Sequence, residues 1–136
     1  MKEIIEFLSA SPAFFVATCG IDNAPHVRPF SFVMEWNGKL TFVTNTEKEV
    51  YKQLEENPRV EISSYSPSGE WMRIKGTVSF TKDAAAKEKV FEVMPALRHL
   101  YKEGLDEIMI CFYIEDGEAG IYDMSSMNIP KRTIQL

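Results

Sequence analysis

The dipeptide Asn37-Gly38 is the feature that most constrains how this chain can fold. Asn-Gly readily adopts the backbone of a two-residue hairpin turn, and here it joins the apolar runs HVRPFSFVMEW (26–36) and KLTFVT (39–44). A third apolar run, AFFVATC (13–19), precedes them across a segment that is dense in turn-forming residues. Three consecutive strands joined by tight turns predict an antiparallel meander rather than a parallel sheet.

The rest of the chain repeats this pattern of short strand-like runs between turn signals. EIMICFYIE and EAGIYDM flank Asp116-Gly117, which predicts a closing hairpin, and the tail KRTIQL adds a short final strand. We therefore expect a single domain over residues 1–136, mainly β with marginal helices, folded as a six- to seven-stranded antiparallel barrel. The predicted strands cover 13–19, 26–36, 39–44, 59–65, 70–81, 107–115 and 118–124.

Helices are expected only at the margins of this sheet. An amphipathic segment opens the chain and stops before Pro12. Thr46 followed three residues later by Glu49 fits a reciprocal capping box, so a helix is predicted to begin at Thr46 and to end before Pro58. The remaining helices are predicted over 83–95, capped by Asp83, and, as a further turn or short helix, over 96–105.

Composition and charge exclude several classes of function. The formal net charge of −5 argues against a nucleic-acid-binding protein, because these proteins normally present a basic face. We expect neither a membrane span nor a signal peptide, since no apolar run has the required length or flanks. Cys19 and Cys111 lie in apolar runs, which is typical of reduced cysteines in a cytoplasmic protein. His26 and His99 have no ligand at metal-binding spacing, so no metal site is predicted.

The junction between the strand LTFVTN and the helix that follows carries a dense set of polar residues. Thr44, Asn45 and Thr46 come first, and Lys48 and Lys52 follow at helical spacing. The first turn of a helix has unpaired backbone N–H groups and a partial positive charge, so together with hydroxyl groups and a lysine it can bind a phosphate. The simpler interpretation is a capped helix with solvated lysines. Both interpretations are open from these residues alone.

The segment HVRPFSF forms part of the second predicted strand and carries a possible anion-binding group. Strand alternation puts Arg28 and Phe30 on one face and Ser31 on the other. Pro29 cannot donate to a sheet ladder, so pairing should be interrupted there, which leaves backbone groups free to bond a flat heterocyclic edge. Arg28 can hold a phosphate or carboxylate through two hydrogen bonds. The alternative is an edge strand with a surface arginine.

The predicted strand EWMRIKGTVSFT places Trp71, Arg73 and Lys75 on one face. An exposed tryptophan beside cations can stack on a ring and face its anionic substituents. A tryptophan in the core at the end of the barrel, with both cations turned to solvent, is the alternative. These residues alone do not decide between the two interpretations.

The sequence contains no nucleophile with a matching base. The motifs G-x-S-x-G and H-E-x-x-H and the phosphate-binding loop are all absent from it. The carboxylates are spread along helix faces that we expect to be solvated. We therefore assign no catalytic residue, and any catalysis is expected to be carried by a cofactor.

Taken in order, AP-HVRPF-S-F, a hairpin, LTFVTNT-K-VYKQLEENPRVEI and WMRIKGTV resemble the flavin-binding split-barrel family related to pyridoxamine 5′-phosphate oxidase. The resemblance is greatest to the small members of that family, which include nitroimidazole-resistance-type flavoproteins. It extends over nearly the whole chain. It implies a split β-barrel of the FMN-binding type, and a homodimer with FMN in clefts at the subunit interface.

The resemblance also implies roles for individual residues. Arg28 and Lys48 would hold the FMN phosphate, with Lys52 as a second candidate because Glu49 occupies the position where the family commonly has its lysine. The other FMN-binding residues that the resemblance implies are Pro29, Phe30 and Ser31 beside the flavin, Thr44, Asn45 and Thr46 near the phosphate and ribityl chain, and Trp71 and Arg73 for contacts across the dimer interface.

The function implied by the resemblance is an FMN-dependent oxidoreductase that passes electrons from a reduced nicotinamide to a small-molecule acceptor, such as a nitro compound or heterocycle. Oxidation of pyridoxamine phosphate itself is not expected, because the chain ends NIPKRTIQL without the histidine-bearing terminal segment of the true oxidases. One alternative is a non-catalytic dimer that binds or senses flavin, F420 or haem. Another is an interaction domain without a cofactor. The substrate and the choice between NADH and NADPH stay open.

Overall fold

The computed structural model describes residues 1–102 and 105–136, which form an antiparallel sheet of eight strands with four helices around it. The strands are β1 (Phe14–Cys19), β2 (Pro25–Phe30), β3 (Met34–Trp36), β4 (Lys39–Asn45), β5 (Arg59–Tyr65), β6 (Trp71–Thr81), β7 (Met109–Tyr122) and β8 (Arg132–Gln135). The helices are α1 (Lys2–Ser9), α2 (Glu49–Glu56), α3 (Ala84–Val93) and α4 (Leu97–Leu100).

The strands pair in the order β2-β1-β5-β6-β7-β4-β3, and β8 pairs with β7. Every pairing is antiparallel, and the path does not close between β2 and β3, as in a split barrel. The predicted fold class, a mainly β antiparallel split barrel, is therefore confirmed. The eight strands exceed the predicted six to seven because the expected tail strand, β8, forms in addition, while the division of the run 26–36 into two strands is offset by the merging of two predicted strands into β7.

The predicted hairpin at Asn37-Gly38 is confirmed, but the meander around it is wrong. Asn37 and Gly38 have φ angles of +50° and +74°, and they join the paired strands β3 and β4. Strand β2 does not pair with β3, because residues 31–33 leave the ladder to bury Phe32 and Val33 in two different apolar clusters. The ladder between β1 and β2 does continue through Pro29, so the predicted interruption is also wrong. Pro29 is tolerated because β2 lies at the end of the sheet.

The predicted closing hairpin at Asp116-Gly117 is wrong, since residues Met109–Tyr122 form one continuous strand. Gly117 lies opposite Gly76 of β6, and the register shifts beside this pair, so the segment forms a bulge rather than a turn. A Cβ atom on Gly117 would lie 2.5 Å from the Lys75 carbonyl oxygen. The glycine is therefore required by the close approach of two strands, and not by a turn.

The apolar residues form two clusters on opposite faces of the sheet, since the successive residues Cys111 and Phe112 of β7 belong to different clusters. The larger cluster includes Phe14, Phe42 and Phe112, together with the buried faces of α1 and α2. The smaller cluster includes Phe32 and Cys111 beneath α3 and α4. Both cysteines are free, and burial raises the pKa of the Cys111 thiol to about 11, so this thiol stays protonated at neutral pH.

The helix boundaries agree with the sequence at α3 and only partly at α4. Asp83 caps α3, accepting a hydrogen bond from the Ala85 backbone N–H at 2.9 Å, as predicted. The short helix expected within 96–105 is α4, while residues 103 and 104 lie outside the described part of the chain. Within the described ranges, the helices are all too short or too polar to cross a bilayer.

Replacing Gly117 with alanine is expected to lower the free energy of unfolding by about 1–3 kcal/mol, because the added methyl group must push β6 and β7 apart. Urea or thermal unfolding measures this change. Glu118→Ala, a substitution at the exposed neighbouring position, serves as the matched control and should change the stability little. Equal effects of the two substitutions would contradict the close approach at Gly117.

Candidate functional site

A pocket of about 200 Å³ lies where the end of β2, the start of α2 and the segment around α4 meet. It is located between the two apolar clusters, since Phe30 packs against the larger one and Phe32 belongs to the smaller. Among the residues predicted to bind a ligand, the structure brings five together on its wall: Arg28, Pro29, Phe30, Ser31 and Lys48.

The walls of this pocket have contrasting chemistry. Arg28 and Lys48 supply two cationic groups. The other walls are largely apolar, and they come from β4 and from the segment that runs from the end of α3 past α4, where Met94, Leu97 and Tyr101 line the pocket. Such a donor set fits a flat ring that carries an anionic arm.

Arg28 is half-buried, and neutral groups anchor its Nη1 and Nη2 atoms. Its guanidinium donates hydrogen bonds to the Val16 carbonyl at 3.2 Å, to Thr18 Oγ1 at 2.7 Å and to Gln53 Oε1 at 2.6 Å. Burial lowers the pKa of Arg28, and the charge of Glu49 opposes that shift, but an arginine stays cationic at neutral pH. Within the described residues no carboxylate bonds this guanidinium, so its positive charge at the pocket is left without an ion-pair partner.

Lys48 reaches the pocket from the N-cap position of α2. Its backbone is extended, with φ −75° and ψ 147°, and helix α2 starts at Glu49. The predicted capping box between Thr46 and Glu49 is therefore wrong. The Thr46 backbone N–H donates instead to the Ile108 carbonyl at 2.9 Å, which ties Thr46 to the end of the β4–β7 ladder.

Asn45 explains why the helix starts later than predicted. Its Oδ1 accepts a hydrogen bond from the Glu47 backbone N–H at 3.1 Å, forming an Asx turn between the strand and the helix. Its Nδ2 donates to the Tyr101 hydroxyl at 3.2 Å, and Tyr101 lines the pocket. Asn45 thus links the turn before Lys48 to the wall near α4, one contact away from the pocket.

The structure locates the remaining predicted ligand-binding residues away from this wall. Thr44 shares the buried face of Leu40 and Phe42, and Thr46 is half-buried beside the ladder. Lys52 lies on a different, shallower cleft of about 540 Å³ with Asp22 and His26. Trp71 and Arg73 are on the outward face of β6, where Trp71 stacks on Tyr122 and Arg73 pairs with Glu61.

Sequence reasoning missed Thr18, Gln53 and Tyr101. Gln53 occupies the helical face that also buries Val50 and Leu54, and Thr18 alternates with apolar residues on the buried face of β1. A polar residue within an apolar periodic face was the signal that could have identified both. Tyr101 carried no comparable signal, because its role depends on a contact with Asn45, which is far away in the sequence.

These observations define a split-barrel protein with a cationic and apolar pocket beside its second strand. The family model for pyridoxamine 5′-phosphate oxidase matches residues 1–105. The chain therefore belongs to the pyridoxamine 5′-phosphate oxidase family, whose members generally bind a flavin. No curated protein matches the chain.

Solved structures share this fold along nearly their whole length. A NimC/NimA family protein from Clostridium acetobutylicum is 36% identical, with a TM-score of 0.89, over 100% of this chain and 93% of that one. General stress protein 26 from Bacillus anthracis is 15% identical, with a TM-score of 0.76, over 99% and 97%. An F420 reductase is 17% identical, with a TM-score of 0.61, over 95% and 94%. The last two likenesses show the fold alone.

The effect of the buried Thr44 hydroxyl on stability can be tested by mutation. Thr44 is 2% exposed, and its Oγ1 has no hydrogen-bond partner in the described part of the protein. Thr44→Val should therefore raise the free energy of unfolding by about 1 kcal/mol, because it removes an unsatisfied polar atom at constant shape. Thr41→Val in the same strand is the matched control and should lower stability by about 1 kcal/mol, because Thr41 Oγ1 donates to the Lys39 carbonyl. Thermal unfolding measures both, and a loss of stability in Thr44→Val would show that this hydroxyl has a partner in solution.

Proposed function

We propose that this protein is an FMN-binding flavoprotein that uses the pocket beside β2. Arg28 and Lys48 would hold the FMN phosphate, and Pro29, Phe30 and Ser31 would lie along the flavin ring. The observation that carries this proposal is the half-buried Arg28, which faces a pocket without a carboxylate partner among the described residues. A partly desolvated cation of this kind is best satisfied by an anionic ligand.

Membership of the pyridoxamine 5′-phosphate oxidase family supports a flavin as this ligand. The apolar wall formed by Met94, Leu97 and Tyr101 suits a flat aromatic ring, while the two cations suit a phosphate. Asn45 would act indirectly, because it braces Tyr101 and the turn that leads to Lys48. Thr44, Thr46 and Lys52 have no direct role in this proposal.

We propose further that the protein is a homodimer, in which a second copy completes the site. The pocket of about 200 Å³ is smaller than the range of roughly 300–1,000 Å³ that is usual for a small-molecule site. The outward face of β2, β1 and β5 leaves Val27 67%, Phe15 50% and Tyr65 62% exposed. Trp71 and Arg73 continue this face through the strand register, since Tyr65 pairs with Trp71. An apolar face of this kind suits a protein–protein contact.

The reaction we propose is the transfer of electrons from a reduced nicotinamide to a small acceptor, such as a nitro compound or heterocycle. Bound FMN would supply the redox chemistry. The chain's own residues would bind and orient the cofactor, with Arg28 as a fixed positive charge, and the apolar wall would exclude water. A cytoplasmic location fits the two cysteines, which are both free.

The first test is an absorbance spectrum of the purified protein before and after it is mixed with FMN and desalted. We expect retained flavin bands, with FMN released on denaturation. A protein that retains no FMN would overturn the proposed function. Retention without reduction by NADH or NADPH would instead identify a protein that binds flavin without turning it over.

The two lysines provide a matched pair in the same titration. Lys48→Met should weaken FMN binding by about 1 kcal/mol, the scale of an ion pair at an exposed site. Lys52→Met should leave the affinity unchanged, because Lys52 lies on the other cleft. Fluorescence titration measures both. The reverse order of effects would place the phosphate in the cleft that contains His26 and Lys52.

The dimer proposal is tested by placing a carboxylate in the outward face. Val27→Glu should convert the dimer to a monomer, because a carboxylate buried at the contact without a partner costs several kcal/mol. Val93→Glu on α3 is the control, since Val93 is also exposed but lies away from this face. Analytical ultracentrifugation gives the state of each variant. A wild-type protein that sediments as a monomer would contradict the proposed dimer.

A further inference from the structure

The guanidinium of Arg28 is held by one of its two donor edges. Each edge of a guanidinium can donate a parallel pair of hydrogen bonds, one through Nη1 and Nη2 and the other through Nε and Nη2. Here Nη1 donates to Thr18 Oγ1 at 2.7 Å and Nη2 donates to Gln53 Oε1 at 2.6 Å. The bonds found within the described residues do not include one from Nε.

The two acceptors are themselves joined. The Thr18 hydroxyl donates to Gln53 Oε1 at 2.6 Å, so this amide oxygen receives two hydrogen bonds while Oγ1 both donates and accepts. Both side chains are buried. Because every member of this triangle has a fixed direction of donation, the plane of the guanidinium is held in one orientation.

Neither Thr18 nor Gln53 is explained by packing alone. Gln53 lies among the buried residues of α2, and Thr18 lies on the buried face of β1, where apolar side chains would be less costly. Neither residue lines the pocket that contains Lys48. Their shared partner is Arg28, and any effect on a ligand in that pocket must pass through it.

We propose that Gln53, together with Thr18, is a positioning residue that anchors Arg28 by its Nη1–Nη2 edge and leaves the Nε–Nη2 edge to bind an anion through two hydrogen bonds. This inference rests on the proposed function, in which the anion is the FMN phosphate. A neutral amide is essential to the arrangement. A carboxylate at position 53 would offer the same oxygen atoms but would neutralise the charge that the ligand needs.

Binding of FMN and of riboflavin, which lacks the phosphate, separates positioning from general damage to the pocket. Gln53→Leu is expected to weaken FMN binding about tenfold and to leave riboflavin binding nearly unchanged, because only the phosphate uses Arg28. Gln53→Glu should also lower the ratio of FMN to riboflavin affinity. Glu56→Gln, at an exposed position on the same helix, is the control and should keep the wild-type ratio.

Thr18 gives an independent pair of variants should Gln53→Leu fail to fold. Thr18→Val should lower the FMN-to-riboflavin ratio, whereas Thr18→Ser retains the hydroxyl and should preserve the ratio. In an Arg28→Ala background, Gln53→Leu should have no further effect on the ratio, since its only route to the phosphate is gone.

The outcomes separate the two proposals. If the wild-type protein binds FMN, but a folded Gln53→Leu or Thr18→Val variant keeps the wild-type ratio, the positioning role is overturned and the flavoprotein proposal stands. Equal weakening of FMN and riboflavin likewise overturns positioning in favour of a structural role. A wild-type protein that binds neither flavin overturns the proposed function and this inference with it.

Discussion

Strand β7 pairs with three other strands, and this arrangement sets the position of the part of the site that follows β4. Along one edge it pairs with β6 from Cys111 to Tyr122, and it pairs also with β4 and β8 at its two ends. The pairing with β4 fixes where Asn45 ends its strand, and Asn45 in turn directs the chain to Lys48. Gly76 and Gly117 permit the close approach of β6 and β7 on which this pairing depends.

The second constraint is electrostatic. The fold encloses part of Arg28 and bonds its Nη1 and Nη2 atoms to a carbonyl, a hydroxyl and an amide, and none of these groups compensates its charge. Desolvating a cation is unfavourable, and a protein that needed only a structural contact at this place could use a carboxylate or an apolar residue. Binding of an anion at Arg28, as proposed, would offset this unfavourable free energy. The uncompensated charge of Arg28 is thus the feature that would provide affinity for an anion.

Sequence patterns singled out part of the pocket wall but missed details of the backbone. Arg28 was selected as a possible anion-binding group on a predicted strand, and the structure brings it to one wall with Pro29, Phe30 and Ser31. The turn signal at Asp116-Gly117 failed because pairing with β6 outweighs local turn propensity in a long strand. The capping signal at Thr46 failed because the Thr46 backbone N–H, which a capping box would use, donates to the Ile108 carbonyl, while the Asx turn of Asn45 carries the chain past Thr46. Gln53 was marked by its place on the buried face of α2, but its partner Arg28 and the Asn45 partner of Tyr101 lie far away in the sequence, where no local pattern identifies them.

The smallness of the pocket and the exposure of the outward face have one explanation in the proposed dimer. A site that needs both copies is complete only after association, so any ligand that binds there also stabilises the dimer. The buried triangle of Thr18, Gln53 and Arg28 lies within one copy, so it can form before association. The anion-binding edge would then be oriented in advance, which lowers the ordering cost when the ligand and the second copy come together. In this proposal, one copy orients the Arg28 guanidinium, and the second copy closes the pocket around the ligand.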